Sequence, residues 1–297
     1  MRCVLAIIVL IPLLFGCSIT VDEKVPTDEK AEEAKENDSP MTYSDDYIVV
    51  EEDSVVKNFI ELFFPEEKVV LAKPLKLLSL GDSLTDGVGD EYKKDGYVGR
   101  LAQSLETWPS ISVVEVDNRG KRGRRSTTLL ELLKEGHYDK ELQEVQLITM
   151  TMGGNDVMKV VKEDLLSLKR ERFDKERVKY AKRYTEILAN IRERNKTVPI
   201  ILIGFYNPFS IVTEENNEFD TIIDEWNNVM EELASEDPRA CYVEVSDLFD
   251  SNDDMVYHSD FFHPNASGYE KMTERIVSTI SDCGMEQLIK EAQGFKE

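Results

Sequence analysis

From Leu75 onward the chain alternates between short apolar or β-branched runs and longer stretches in which apolar residues recur every three or four positions. The short runs are Leu75–Leu80, Ile111–Val116, Val145–Met152, Val198–Phe205 and Ala240–Val245. Runs of this length and uniformity read as strands of a buried sheet. Helical spacing covers Val98–Glu106, Thr128–Lys134, Val157–Arg170, about Asp174 to Asn195, Thr221–Ser235 and Ala266–Ser281. Such alternation predicts an α/β fold in three layers, α/β/α. A mainly parallel five-stranded sheet would be joined by right-handed crossovers, with helices on both faces.

Ahead of this region the pattern changes three times. Tyr47–Phe64 carries apolar residues at helical spacing (Val55, Val56, Phe59, Ile60, Phe63), which predicts an extra amphipathic helix packed on the domain. From Ser18 to about Asp46 the chain is poor in apolar side chains and rich in Asp, Glu, Lys, Ser and Pro. It cannot bury enough surface to offset its ordering entropy, so it reads as a flexible acidic tether. Arg2 followed by the apolar run Val4–Phe15 reads as an export signal too short to span a membrane easily. Leu14-Phe15-Gly16-Cys17 resembles the lipobox of bacterial lipoproteins, with Phe15 where a small or aliphatic residue is usual. The resemblance implies that residues 1–16 are removed and that Cys17 is lipidated, with 17–46 as the tether and 47–297 as the domain. The domain would then sit at the extracytoplasmic face of the cell membrane. A plain cleaved signal, or an uncleaved anchor, would export it as well.

Composition narrows the class further. The 297 residues suffice for one α/β domain plus extras. Acids outnumber bases 59 to 36, giving a net charge of −23, which argues against nucleic acid as a partner. Of 4 cysteines, Cys3 would leave with the signal and Cys17 would carry lipid. Cys241 and Cys283 are open to pairing in an oxidising compartment, but spacing alone does not bring them together, and two buried thiols are the expectation. No Cys or His cluster has metal-ligand spacing, so no metal site is expected.

Polar, specific residues follow the strands. Gly81-Asp82-Ser83 ends the first, Asn118-Arg119-Gly120-Lys121-Arg122-Gly123 follows the second, and Gly153-Gly154-Asn155-Asp156 follows the third. Asp260-Phe261-Phe262-His263 lies beyond the fifth. A parallel sheet gathers such loops on one edge. A serine hydroxyl needs an imidazole to take its proton, and the imidazole needs a carboxylate to fix its tautomer. His263 is the best base of the 3 histidines, because Asp260 stands three residues before it and Pro264 keeps it out of a helix. His258 lacks an acid at that spacing, and His137 reads as a cap or surface residue. Oxyanion donors would be the Ser83 N–H, a glycine N–H and the Asn155 amide. Gly120 and Gly123 both follow the second strand, and spacing from Asn118 favours Gly123. Asp82 and Asp156 read as turn caps.

Taken together, these four blocks resemble those of the SGNH, or GDSL, hydrolase family over about Leu75–Ser281. The resemblance implies a flavodoxin-like sheet and a serine esterase or acylhydrolase that needs no cofactor. It implies Ser83 as nucleophile, His263 as base and then acid, and Asp260 as its orienting acid. Ser83, Gly123 and Asn155 would form the oxyanion hole. With the lipobox, the chain looks like the lipoprotein esterases of Gram-positive bacteria. The expected partner is an ester substrate (a lipid, a lysophospholipid or an acylated glycan), and a monomer is expected. Two other readings are a carbohydrate O-deacetylase acting on cell-wall glycans and a binding lipoprotein with a vestigial site. Lys121-Arg122-Gly123-Arg124-Arg125 is unusually basic for this family. Ion pairing with the acidic surface is its ordinary fate, and recognition of an anionic substrate group by Arg124 or Arg125 is the functional alternative.

Overall fold

The structure, a computed structural model, describes residues 41–43, 48–51, 62, 69–163, 169–210, 218–251 and 255–295. The signal segment, Cys17, most of the tether and, of the expected helix, residues 52–61 and 63–64 lie outside the described residues. Strands are β1 (Met41–Tyr43), β2 (Ile48–Glu51), β3 (Val69–Gly81), β4 (Ile111–Gly120), β5 (Leu147–Thr151), β6 (Ile200–Ile203) and β7 (Ala240–Val243). The central five run parallel in the order β4-β3-β5-β6-β7, as in flavodoxin-like sheets. This is the five-stranded parallel sheet that the alternation predicted.

At its N-terminal end the sheet is extended. β2 pairs in parallel with the start of β3, and β1 pairs antiparallel with β2. Strand thus replaces helix at Ile48–Glu51, where Ile48, Val49 and Val50 are three consecutive β-branched residues. Met41–Tyr43 is strand within the segment expected as tether. β3 is longer than its apolar run because pairing continues through Lys73-Pro74, with a register shift where Pro74 has no N–H to give. β4 also outruns its apolar run. It pairs only with β3, so this edge strand carries Glu115, Asp117 and Arg119 without burying them on both flanks.

Helices are α1 (Gly96–Leu105), α2 (Ser126–Lys134), α3 (Asp139–Glu144), α4 (Gly154–Glu163), α5 (Arg170–Arg194), α6 (Glu218–Glu236), α7 (Ala266–Asp282) and α8 (Met285–Ala292). Two cores lie on opposite faces of the sheet. Leu78, Leu80, Ile148 and Met150 point into one, against Tyr180, Tyr184 and Trp226. Leu75, Leu77, Ile201 and Ile203 point into the other, against Tyr97, Tyr269 and Met272. The period-two alternation within each run sorts its side chains between these faces.

Cys241 and Cys283 are not the separate thiols expected. They form a disulfide, with Cα atoms 6.4 Å apart. The reason is tertiary: α7 packs against β7 and places Cys283, which caps its C-terminus, beside Cys241. The bond closes a chain separation of 42 residues. A loop of that size corresponds to about 4 kcal/mol in the chain-entropy model.

Candidate active site

Ser83 stands in the turn that follows β3. The turn is tight because β3 ends on Gly81, where a Cβ would lie 2.2 Å from the Thr85 hydroxyl and 2.6 Å from that of Thr151. Beneath it runs a buried chain of hydroxyls. Ser79 and Thr149 lie 2.8 Å apart, Thr149 and Tyr97 3.3 Å, Tyr97 and Thr85 2.9 Å, and Thr85 and Thr151 2.7 Å. Thr151 then donates to Asp82 at 3.1 Å. Buried hydroxyls are costly unless partnered, and each here has a partner, so the network fixes the turn. Nothing in the sequence pattern announced it, because its members are spread over β3, β5, α1 and the turn after β3.

Asp82 caps its own turn as expected, accepting the Leu84 N–H at 3.0 Å. It does more than that. Its other oxygen lies 3.5 Å from the Asn155 amide nitrogen, which ties the third block to the first. Burial pushes the Asp82 carboxyl up to about 6, with the Leu84 N–H and the Thr151 hydroxyl opposing and Asp156 adding to the rise. A carboxyl whose folded pKa exceeds its unfolded value stabilises the fold in its protonated form. That contribution is complete at low pH and is lost as pH rises through about 6. The stability of Asp82→Asn relative to wild type should therefore increase by on the order of 2–3 kcal/mol from about pH 4 to about pH 7. Urea unfolding at several pH values checks this, and a flat difference would contradict it.

Asp156 caps across the site rather than its own turn. It accepts the Ser126 N–H at 2.9 Å and hydroxyl at 2.7 Å, at the start of α2, and Arg183 donates to it at 3.1 Å. Burial still pushes its carboxyl up. The contact locks the loop bearing Gly123 to the start of α4, which bears Asn155. Between the two candidate glycines the structure separates clearly. Gly120 donates its N–H to the Asn118 side chain at 2.9 Å, and a Cβ there would meet the Asp86 nitrogen at 2.2 Å. Gly123 has φ +78, where glycine is favoured, and open space where a Cβ would stand. It borders a groove with Ser83, Asn155 and His263.

The loop before α7 supplies the remaining groups. His263 Nδ1 lies 2.7 Å from Asp260 Oδ2, and its Nε2 lies 3.1 Å from the Ser83 hydroxyl, across 180 residues of sequence. Asp260 Oδ1 accepts the N–H groups of His263 at 3.0 Å and Phe262 at 3.1 Å. Burial works to raise this carboxyl, but the His263 N–H, the His263 ring and the Phe262 N–H outweigh it and hold it down at about 2. The carboxylate is therefore an acceptor only, so Nδ1 carries the proton and Nε2 accepts from Ser83. Tyr206 donates to the Phe262 carbonyl at 2.8 Å and Asn265 caps α7 through Gly268, which pin both ends of the segment.

Other sequence candidates fall elsewhere. His258 Nδ1 lies 3.7 Å from Asp260 Oδ1, and its N–H donates to the His263 carbonyl at 2.8 Å. His137 is an exposed residue after α2, 3.5 Å from Glu135. Arg124 turns inward to the carbonyls of Arg119 and Gly81 and supports the loop, and Arg125 stands at the N-cap position of α2, where its carbonyl accepts the Thr128 and Leu129 N–H groups. Among the described residues no three His, Cys, Asp or Glu side chains converge as a metal site. Beside Ser83 opens a narrow cavity with a mostly apolar wall that includes Val157, Met158, Phe205, Phe219 and Ile223.

A serine hydroxyl, an imidazole and a carboxylate in hydrogen-bonding sequence, with Gly123 and Asn155 beside them, meet at the C-terminal edge of a flavodoxin-like sheet, an arrangement that resembles serine-hydrolase sites. The chain belongs to the GDSL-like lipase/acylhydrolase family, whose model matches residues 79–271, and it is a carboxylic ester hydrolase. It is 35% identical over 222 residues to an uncharacterized protein, YpmR, of Bacillus subtilis, covering 74% of this chain and 84% of that one. It is 25% identical over 221 residues to the spore germination lipase LipC of Bacillus licheniformis, covering 68% and 94%. Among solved structures it resembles the lipase Lip_vut3 from a goat rumen metagenome (TM-score 0.58, 24% identity, covering 69% and 97%). It also resembles the acetylxylan esterase Axe2 of Geobacillus stearothermophilus (TM-score 0.51, 19% identity, covering 76% and 96%).

Proposed function

We propose that this chain is an extracytoplasmic, lipid-anchored serine acylhydrolase acting on esters of apolar acyl chains. The observation that carries the reading is the relay from Asp260 through His263 to Ser83, at 2.7 and 3.1 Å. Ser83 Oγ attacks the ester carbonyl while His263 Nε2 takes its proton, and Asp260 stabilises the imidazolium that forms. The Ser83 and Gly123 N–H groups and the Asn155 amide face the developing oxyanion. His263 then protonates the leaving alcohol. Water, deprotonated by the same nitrogen, releases the acid from the acyl-enzyme.

The acyl chain occupies the apolar cavity beside Ser83. An acetyl methyl alone would leave most of that wall uncovered, which favours longer chains over O-deacetylation of glycans. The kcat/KM for p-nitrophenyl esters should rise roughly threefold to fourfold per added methylene beyond acetate until the cavity is filled. A profile in which acetate is best and longer chains fail would favour the deacetylase. The anchor rests on Leu14–Cys17 and the apolar run before it. Labelled palmitate should enter wild type and not Cys17→Ser, and equal labelling would remove the anchor from the reading.

A further inference from the structure

We propose that the alcohol half of the substrate carries an anionic group, a phosphate or a carboxylate, bound by Arg122 and Lys162 beside Ser83. The proposal rests on the acylhydrolase reading and names a substrate class for it.

Ser83, Asn155, Met158, Phe262 and His263 border two cavities rather than one. The first is the apolar acyl cavity. The second, wider and more open, adds Arg122, Gly123, Lys162 and Asp260 to its border. If the acyl chain fills the first, the alcohol lies in the second. There it remains within reach of His263, which must protonate it as it leaves.

That groove has an unusual charge. The whole chain carries −23, yet two cations flank this one opening. Several other basic side chains nearby are committed: Arg119 to Asp117 and Glu141, Arg183 to Asp156 and Glu176, Arg124 to backbone carbonyls. Lys159 pairs with Glu163 in the helix that carries Lys162. Among the described residues, no acid pairs with Arg122 or Lys162. The acid sharing their groove, Asp260, is held by the His263 ring and two backbone N–H groups. Asp86 accepts the Arg122 backbone N–H at 3.2 Å, which fixes the main chain at the rim. Two cations with no acidic partner among the described residues attract an anion, and a guanidinium matches the paired oxygens of phosphate or carboxylate. An apolar chain on one side of the ester and an anion on the other describe an amphiphile.

The test compares three esters with the same acyl chain: a monoacylglycerol, its phosphate and a monoacyl glycerate. Wild type should prefer at least one anionic ester over the neutral one by about tenfold in kcat/KM, and the larger preference names the group. That ratio should fall about threefold to tenfold in Arg122→Ala and in Lys162→Ala, and below one in the double charge reversal Arg122→Glu/Lys162→Glu. Arg122→Lys should recover part of it. Raising salt from about 20 mM to about 500 mM should erode the wild-type ratio and leave that of the charge-reversed variant unimproved. Both positions are exposed, and matched thermal midpoints for the variants exclude a folding defect. A neutral ester turned over normally, with a ratio that none of these changes moves, would overturn the subsite alone. No Ser83-dependent turnover of any of the three would overturn the acylhydrolase reading and the subsite with it.

Discussion

Ser83→Ala is expected to lower kcat/KM on any ester the protein cleaves by roughly 10⁴-fold to 10⁶-fold, with little change in stability. The alanine removes only a hydroxyl whose partner is His263 Nε2, 3.1 Å away. The turn itself is held by other atoms: the Asp82 carboxylate on the Leu84 N–H, the Thr85 and Thr151 hydroxyls, and the Asn118 amide on the Thr85 carbonyl at 2.8 Å. His263→Ala should fall into the same range, because a hydroxyl without a proton acceptor is a weak nucleophile. Groups acting as one unit are not additive, so the Ser83→Ala/His263→Ala double variant should be no slower than the worse single one. A double variant slower by the product of the two losses would mean that the two side chains act in separate steps.

Asp260→Asn carries the second large effect, a loss of up to about 10⁴-fold near neutral pH. Asparagine can keep its carbonyl oxygen on the N–H groups of Phe262 and His263, so the loop should hold its shape. Its amide nitrogen would then face His263 Nδ1. A donor facing Nδ1 turns that nitrogen into an acceptor, and the proton moves to Nε2, where it blocks transfer from Ser83. The carboxylate is also held at about 2, so it stays ionised well below pH 4 and its own protonation does not set the acid limb of activity. Rates of wild type and Asp260→Asn across pH, with thermal midpoints alongside, check both statements. A loss under about tenfold would show that the carboxylate is dispensable to the imidazole.

Much of this was legible in the sequence, for a physical reason. Strands buried on both faces must be apolar along their length, so β5 and β6 stand out as runs of hydrophobic residues. Parallel connections must return across the sheet, so the residues after each strand collect at one edge. That rule collects the segments after β3, β4 and β5 at one edge, and the resemblance of the four blocks to the family added the Asp260–His263 segment and the choice of Ser83, Gly123 and Asn155. What stayed hidden depends on partners distant in sequence. β4 is partly polar because it is an edge, and edges are known only once pairing is known. β2 forms where apolar spacing suggested a helix, because β3 offers it a pairing edge. The hydroxyl chain from Ser79 to Asp82 takes members from β3, β5, α1 and the Ser83 turn, and no linear pattern marks it. Likewise, the partner of Asp156 is Ser126, 30 residues away, and Cys241 meets Cys283 only because α7 lies on β7. The basic cluster shows the same limit. The sequence pointed to Arg124 or Arg125 as the residue for an anionic group, but Arg124 serves backbone carbonyls and Arg122 borders the groove.

Covalent trapping reads the nucleophile without any assumption about the natural ester. The protein would be treated with a fluorophosphonate, digested and analysed by mass spectrometry. A single phosphonyl adduct on Ser83 is expected, formed quickly in wild type and at a rate lowered by orders of magnitude in His263→Ala. An adduct on another residue, or ester turnover that persists after Ser83 is fully modified, would contradict Ser83 as the atom that attacks.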